Sequence, residues 1–254
     1  MSREGKRIQA VVFDLDDTLI DWSQPEKSWD EYTRPMTDNL HKHLATAGYE
    51  LPERDAFFQC LRQEVEHEWT KARENWMGAS FSEVLRRTLQ VCNIDESQVD
   101  LEELMRVYDW QPMPGVVLYE DALDVLAQLR QHSYKLGLIT NSFLPMWMRD
   151  VELRHYNLID LFDARLTSGD AGYMKPHPAI YHRLLEMLGT TPEQSVFVGD
   201  RPQNDIAGAN EAGMISVLID PPHLEREVNE HEPDFTIERL SELIDVLEGL
   251  EIGD

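Results

Sequence analysis

Four aspartates stand close together in FDLDDTLID, residues 13–21: Asp14, Asp16, Asp17 and Asp21. They follow the apolar run QAVVF. Carboxylates crowded at the edge of a core repel one another and lose hydration, so the arrangement is costly unless a cation or a reacting group compensates it. Side chains at i and i+2 share a side of an extended chain, so Asp14 and Asp16 can approach one centre while Asp17 points elsewhere. Asp200, in FVGDRPQND, can bring a third carboxylate from another strand. Three carboxylates call for a cation, and all-oxygen ligation suits Mg²⁺. A Mg²⁺ ion held through only part of its shell leaves room for a phosphate oxygen.

The elements that must position these groups can be read from periodicity. Residues 8–13, IQAVVF, read as a short buried strand. From about Trp22 to Gln111 the apolar spacing is helical and strand-like runs are absent. The prolines and glycine of QPMPGV break that pattern. Helices then alternate with the strands YKLGLIT, FDARLTS, SVFVGD and ISVLID, and DFTIERLSELIDVLEGL adds a further strand and helix. Such alternation predicts a parallel sheet with helices on both faces. The expected fold is a doubly wound, Rossmann-like α/β core built from residues 1–20 and 113–254, interrupted by an all-helical insertion over 21–112. Ligands of such sheets bind beyond the carboxyl ends of the strands. Asp14, Thr140 in LITNS and Asp200 all fall at strand ends and converge on that one edge.

The ordered set of DLDDT at 14–18, a strand ending in Thr140–Asn141, Lys175 in MKPHP, and GDRPQND at 199–205 resembles the motifs of the haloacid dehalogenase superfamily. The resemblance spans the α/β core, and the insertion resembles that superfamily's C1-type cap. It implies a phosphatase in which Asp14 is the nucleophile and forms an aspartyl-phosphate. Asp16 would be the acid for the leaving alcohol and then the base for water. That role asks for an Asp16 pKa above that of Asp14. Mg²⁺ would be held by Asp14, the backbone carbonyl of Asp16, and Asp200, with Asp205 and Asn204 one shell out. Thr140 and the Asn141 amide, at the start of the next helix, would hold phosphoryl oxygens. Lys175 would offset the charge of nucleophile and phosphate.

Each residue also has a plainer reading. Asp14 could be a turn former, Thr140 a helix cap, Asp205 a first-turn charge and Lys175 a solvated lysine; four motifs in order favour the functional reading. Asp17 and Asp21 read as caps where the chain enters the insertion, and His177 and His182 as structural. Trp22, Trp29, Trp69, Trp76 and Trp110 read as packing residues of the insertion, with one or two at a substrate entrance. Arg34, Lys42, Arg73 and Arg149 are candidate anion contacts that nothing ranks above surface charge.

Composition narrows the partners. The formal charge is −25 over 254 residues, which repels nucleic-acid backbones and anionic membranes. Two cysteines, Cys60 and Cys92, are too few for a disulfide framework, and a reducing cytoplasm is expected. MSREGKRIQAVVF lacks the apolar core of a signal peptide, and no uninterrupted apolar stretch is long enough to span a membrane. The expected substrate is a small phosphorylated metabolite, since an insertion over the site would limit access. Three alternatives stand beside it. A 2-haloacid dehalogenase lacks an acid at the Asp16 position and needs no Mg²⁺. A sugar-phosphate mutase shares these residues. A non-catalytic binding module would have lost some of them. Oligomeric state is open.

Overall fold

The computed structural model describes residues 7–221 and 231–252. Strand β1 (Ala10–Phe13) is followed by the two-residue strand β2 (Ile20–Asp21) and four helices, α1 (Trp29–Thr46), α2 (Arg54–Asn75), α3 (Phe81–Val91) and α4 (Leu101–Tyr108). Next come β3 (Val117–Leu118), α5 (Ala122–Gln131), β4 (Lys135–Thr140), α6 (Met146–His155), β5 (Ala164–Thr167), the short α7 (Ser168–Ala171) and α8 (Pro178–Leu188). The chain closes with β6 (Ser195–Gly199), α9 (Ala207–Ala212), β7 (Ile215–Ile219), β8 (Phe235–Ile237) and α10 (Leu243–Ile252).

Six strands form one parallel sheet in the order β5-β4-β1-β6-β7-β8. Counted along the chain, this is the 3-2-1-4-5-6 order of a Rossmann-like sheet, reversing direction at β1. Pleating explains why both faces are covered. Val11 and Phe13 of β1 join one core with Leu136, Leu138, Val196 and Val198, while Ala10 and Val12 join a second core with Ile139 and Phe197. Helices α5, α6 and α10 supply Leu126, Leu153 and Leu243 to the first core; α8 and α9 supply Tyr181, Leu184 and Ala209 to the second. The doubly wound α/β architecture therefore stands as expected.

The four helices between β2 and β3 pack on one another, α1 against α2 and α4, and α3 against α2 and α4. Helix α1 starts from a capping box in which the Ser28 hydroxyl accepts from Glu31 N–H and the Glu31 carboxylate accepts from Ser28 N–H. Two local features depart from the periodicity. Strands β2 and β3 pair antiparallel, Ile20 with Leu118 and Asp21 with Val117, tying together the chain segments that enter and leave the helical stretch. A two-residue strand is too short to carry a hydrophobic period. Helix α6 begins at Met146 with Pro145 as its N-cap, so Asn141 lies in the turn before it and not at a helix start.

Candidate active site

Asp14 follows β1 directly, at the switch point of the sheet, and its N–H donates to Val198 C=O of the neighbouring strand at 2.9 Å. Lys175 reaches it from the loop before α8. The lysine Nζ lies 2.7 Å from Asp14 Oδ1 and 2.7 Å from Asp205 Oδ1, with the Phe197 ring 5.4 Å away. All three charged groups are buried. Burial opposes the lysine's charge, but Asp14 and Asp205 outweigh it and hold its pKa above the ordinary lysine value. Burial pushes the Asp14 carboxyl up to about 6; Lys175 opposes that rise, and Asp205 and Asp16 add to it.

Asp200 caps the end of β6 and joins the same cluster. Carboxylate oxygens of Asp14, Asp200 and Asp205 lie within 4.8 Å of one another. The buried Lys175 and the largely exposed Arg201, whose Nε lies 3.9 Å from Asp200 Oδ2, still leave negative charge in excess among three buried carboxylates, which fits a divalent cation. Asp205 is already committed: Lys175 holds Oδ1 and the Arg201 N–H donates to Oδ2 at 2.9 Å. Its approach depends on Gly199, where an added Cβ would fall 2.5 Å from the Asp205 carboxyl carbon. Thr18, fully buried, donates its hydroxyl to Asp200 Oδ1 at 3.5 Å.

Asp16 is held differently. Its Oδ1 accepts from Trp22 Nε1 at 2.9 Å, and its Oδ2 accepts from the Thr140 hydroxyl at 3.0 Å. Arg149 Nη2 donates to Oδ1 at 2.9 Å and to Oδ2 at 3.2 Å. Behind it, Arg149 Nε is paired with buried Glu152 Oε2 at 2.5 Å. Burial alone would raise the Asp16 pKa, but Arg149, Thr140 and Trp22 outweigh it and hold the carboxyl below the ordinary aspartate value. The order expected for the acid and the nucleophile is thus reversed here, because a buried arginine contacts both oxygens of Asp16, while burial outweighs Lys175 at Asp14.

The remaining predicted residues separate clearly. Asn141 uses its side chain on the backbone of Lys175: Nδ2 donates to Lys175 C=O at 3.0 Å and Oδ1 accepts from Lys175 N–H at 2.8 Å. It fixes the lysine loop. Asn204 lies in a π-helical turn, Pro202–Ile206, and its C=O accepts from the Tyr181 hydroxyl at 2.7 Å. Asp17 Oδ1 accepts from Trp22 N–H and Asp21 Oδ1 from Ser23 N–H, as caps do. His177 caps α8. Arg34 is engaged by Asp55, and Arg73 lies over Trp69.

A cavity of about 340 Å³ opens beside Asp16, with Asp17, Asn141, Arg149 and Arg201 among its polar lining. Trp22, Trp29, Trp69 and Trp110 line it as well. The sequence points to one or two tryptophans in such a lining and offers Arg149 as one of four candidate anion contacts, not as a partner of Asp16. An arginine three residues before a glutamate on a helix usually signals a solvated surface pair. Nothing in the spacing shows that this one is buried.

A Rossmann-like sheet carries at its switch point a buried aspartate, a lysine and a carboxylate cluster that could hold a metal ion. Residues 8–213 match the family model of the haloacid dehalogenase-like hydrolases, and the chain belongs to that family. It is 31% identical over 249 residues to a glyceraldehyde 3-phosphate phosphatase of Methanopyrus kandleri, an alignment covering 96% of this chain and 98% of that protein. Among solved structures, a HAD phosphatase from Thermococcus onnurineus matches at 25% identity with a TM-score of 0.60, over 95% of this chain and 99% of that one. A 2-haloacid dehalogenase from Pseudomonas syringae matches at 24% with a TM-score of 0.62, over 95% and 99%, a likeness of fold.

Proposed function

We propose that the chain is a Mg²⁺-dependent phosphatase that hydrolyses phosphate monoesters of small metabolites through an aspartyl-phosphate on Asp14. The observation that carries this reading is the buried group of Asp14, Asp200 and Asp205 set against one lysine at the switch point. A dehalogenation site needs neither the excess of carboxylates nor Asp16. The relatives named as phosphatases support the same reaction class.

Asp14, Asp200 and the Asp16 carbonyl would hold Mg²⁺, which supplies positive charge to the transferring phosphoryl oxygens. Asp14 attacks phosphorus, and splitting hydrolysis at an enzyme ester divides one difficult step into two. Lys175 stays protonated between Asp14 and Asp205 and offsets the charge that gathers there. The Thr140 hydroxyl, which donates to Asp16 Oδ2 in the structure, turns to a phosphoryl oxygen when substrate is bound, leaving Arg149 and Trp22 on Asp16. For the first step Asp16 must take up a proton from solvent against the donors around it, which it gives to the departing alcohol; it then takes one from the water that attacks the phosphoenzyme. Its ionised form, which the surrounding donors favour, is the one the second step uses.

Residues 21–112 act as a C1-type cap. In support, Trp29, Trp69 and Trp110 from that stretch line the cavity together with Asp16 and Arg149 from the core. A cavity of about 340 Å³ suits a small leaving group. Cys60 and Cys92 as free thiols fit a reducing cytoplasm. No helix among the described residues is long and apolar enough to cross a membrane.

The test is inorganic phosphate release from sugar phosphates, nucleotides, phosphoglycolate and p-nitrophenyl phosphate, with Mg²⁺ and with chelator, beside chloride release from 2-chloropropionate. Cation-dependent phosphate release, absent in Asp14→Asn, is expected. Metal-independent chloride release would overturn the reading and keep Asp14 as nucleophile.

A further inference from the structure

Asp16 has donors on both carboxylate oxygens, and two of those donors come from residues outside the four motifs. Trp22 and Arg149 are 6 and 133 positions away in sequence. Arg149 is buried and leans on a second buried charge, Glu152. Burying an arginine–glutamate pair costs desolvation that good geometry only partly returns, and apolar residues of like volume could fill the same space. What the pair provides here is direction: with Glu152 behind it, one Arg149 nitrogen contacts both Asp16 oxygens. Trp22 adds a second direction. Its indole packs against Trp29 at 6.2 Å between centroids, and Trp29 lies 6.0 Å from Trp110. Trp22 and Trp110 flank the helical stretch on its incoming and outgoing sides.

We propose that Arg149, backed by Glu152, and Trp22 are positioning residues that orient the Asp16 carboxyl toward the leaving-group oxygen. The inference rests on the phosphatase reading above and deepens it. Proton donors work when held within fractions of an ångström of the productive geometry, and a free aspartate side chain has two torsions to lose. Three donors on separate elements remove both. The arrangement also makes the direction of Asp16 depend on where the insertion sits, since Trp22 opens the insertion and donates to Asp16 of the core.

Leaving-group chemistry separates this role from a structural one. An alkyl alkoxide needs a proton to depart, whereas p-nitrophenolate does not. Steady-state kinetics of the wild type, Trp22→Phe and Arg149→Met should be measured with glycerol 1-phosphate and p-nitrophenyl phosphate at saturating Mg²⁺. Trp22→Phe keeps an aromatic ring and loses the N–H together with the pyrrole half of the indole, without touching the buried Arg149–Glu152 pair, so it serves if Arg149→Met fails to fold. The expected result is that kcat/KM for glycerol 1-phosphate falls at least tenfold further than kcat/KM for p-nitrophenyl phosphate. With the aryl substrate kcat and KM should fall together, preceded by a burst of p-nitrophenolate, because misdirected Asp16 also slows hydrolysis of the phosphoenzyme. Equal losses on both substrates, or no loss on the alkyl ester, would overturn the inference while leaving the phosphatase reading intact. A wild type that releases phosphate from neither substrate would overturn that reading, and the inference with it.

Discussion

Lys175 is the residue on which the site's electrostatics turn. It is buried and pairs with two buried carboxylates, so Lys175→Met leaves Asp14 and Asp205 facing each other without a buried cation in contact. Removing one partner of a buried ion pair costs about 3–5 kcal/mol. Urea unfolding of the cation-free protein should show a loss of that order, partly restored by Mg²⁺. Asp14 gives a pH dependence. Its pKa in the folded, cation-free protein is raised to about 6 from 3.8, so between those values the native state binds more protons than the unfolded chain. The contribution of this group to stability therefore declines as pH rises through that window. Protons also compete with the cation for the same oxygens. The thermal shift produced by Mg²⁺ should be larger at pH 7 than at pH 5, and a larger shift at the lower pH would contradict the assignment of Asp14 as a ligand. At this scale the sequence was informative where the chemistry is local: Asp14, Asp16, Lys175 and Asp200 were legible from residue type and order. Arg149 was not, because burial of a helical charge depends on what packs over it.

Each strand that delivers a site residue has apolar side chains on both faces and a polar residue just past or at its end, as in AVVF before Asp14 and SVFVG before Asp200. That pattern made the parallel sheet readable. The segments between strands were read less well, since their geometry is set by tertiary contacts. The α6 start moved past Asn141, whose side chain instead binds the Lys175 backbone, and the β2–β3 ribbon has no sequence period to announce it. The turn after β6 shows how an element's end can be set by one missing atom. Gly199→Ala would drive a Cβ into the Asp205 carboxyl and push it off Lys175. Phosphate release should drop at least tenfold with a lowered Tm, whereas an unaffected variant would mean that the Pro202–Ile206 turn shifts freely.

The whole molecule carries a formal charge of −25, an excess that works against compactness. Raising NaCl from ~0.1 to ~1 M shortens the screening length from about 10 to about 3 Å. Tm should therefore rise with salt, and a monotonic fall would show that specific ion pairs outweigh general repulsion. The same charge would repel any anionic ligand away from local cations such as Arg201 at the cavity. Net charge and cysteine content were plain from composition; how the helical stretch sits against the sheet was not, because it rests on contacts between aromatic residues far apart in sequence.

The cavity has an optical consequence. Trp22, Trp29, Trp69 and Trp110 are four of the six tryptophans in the chain, and all of them line it. The protein's native emission is thus weighted toward the place where a ligand would enter. Titration of an inert phosphate ester into the Asp14→Asn variant could be followed by that emission, with no label and no turnover, so the protein carries its own probe of occupancy.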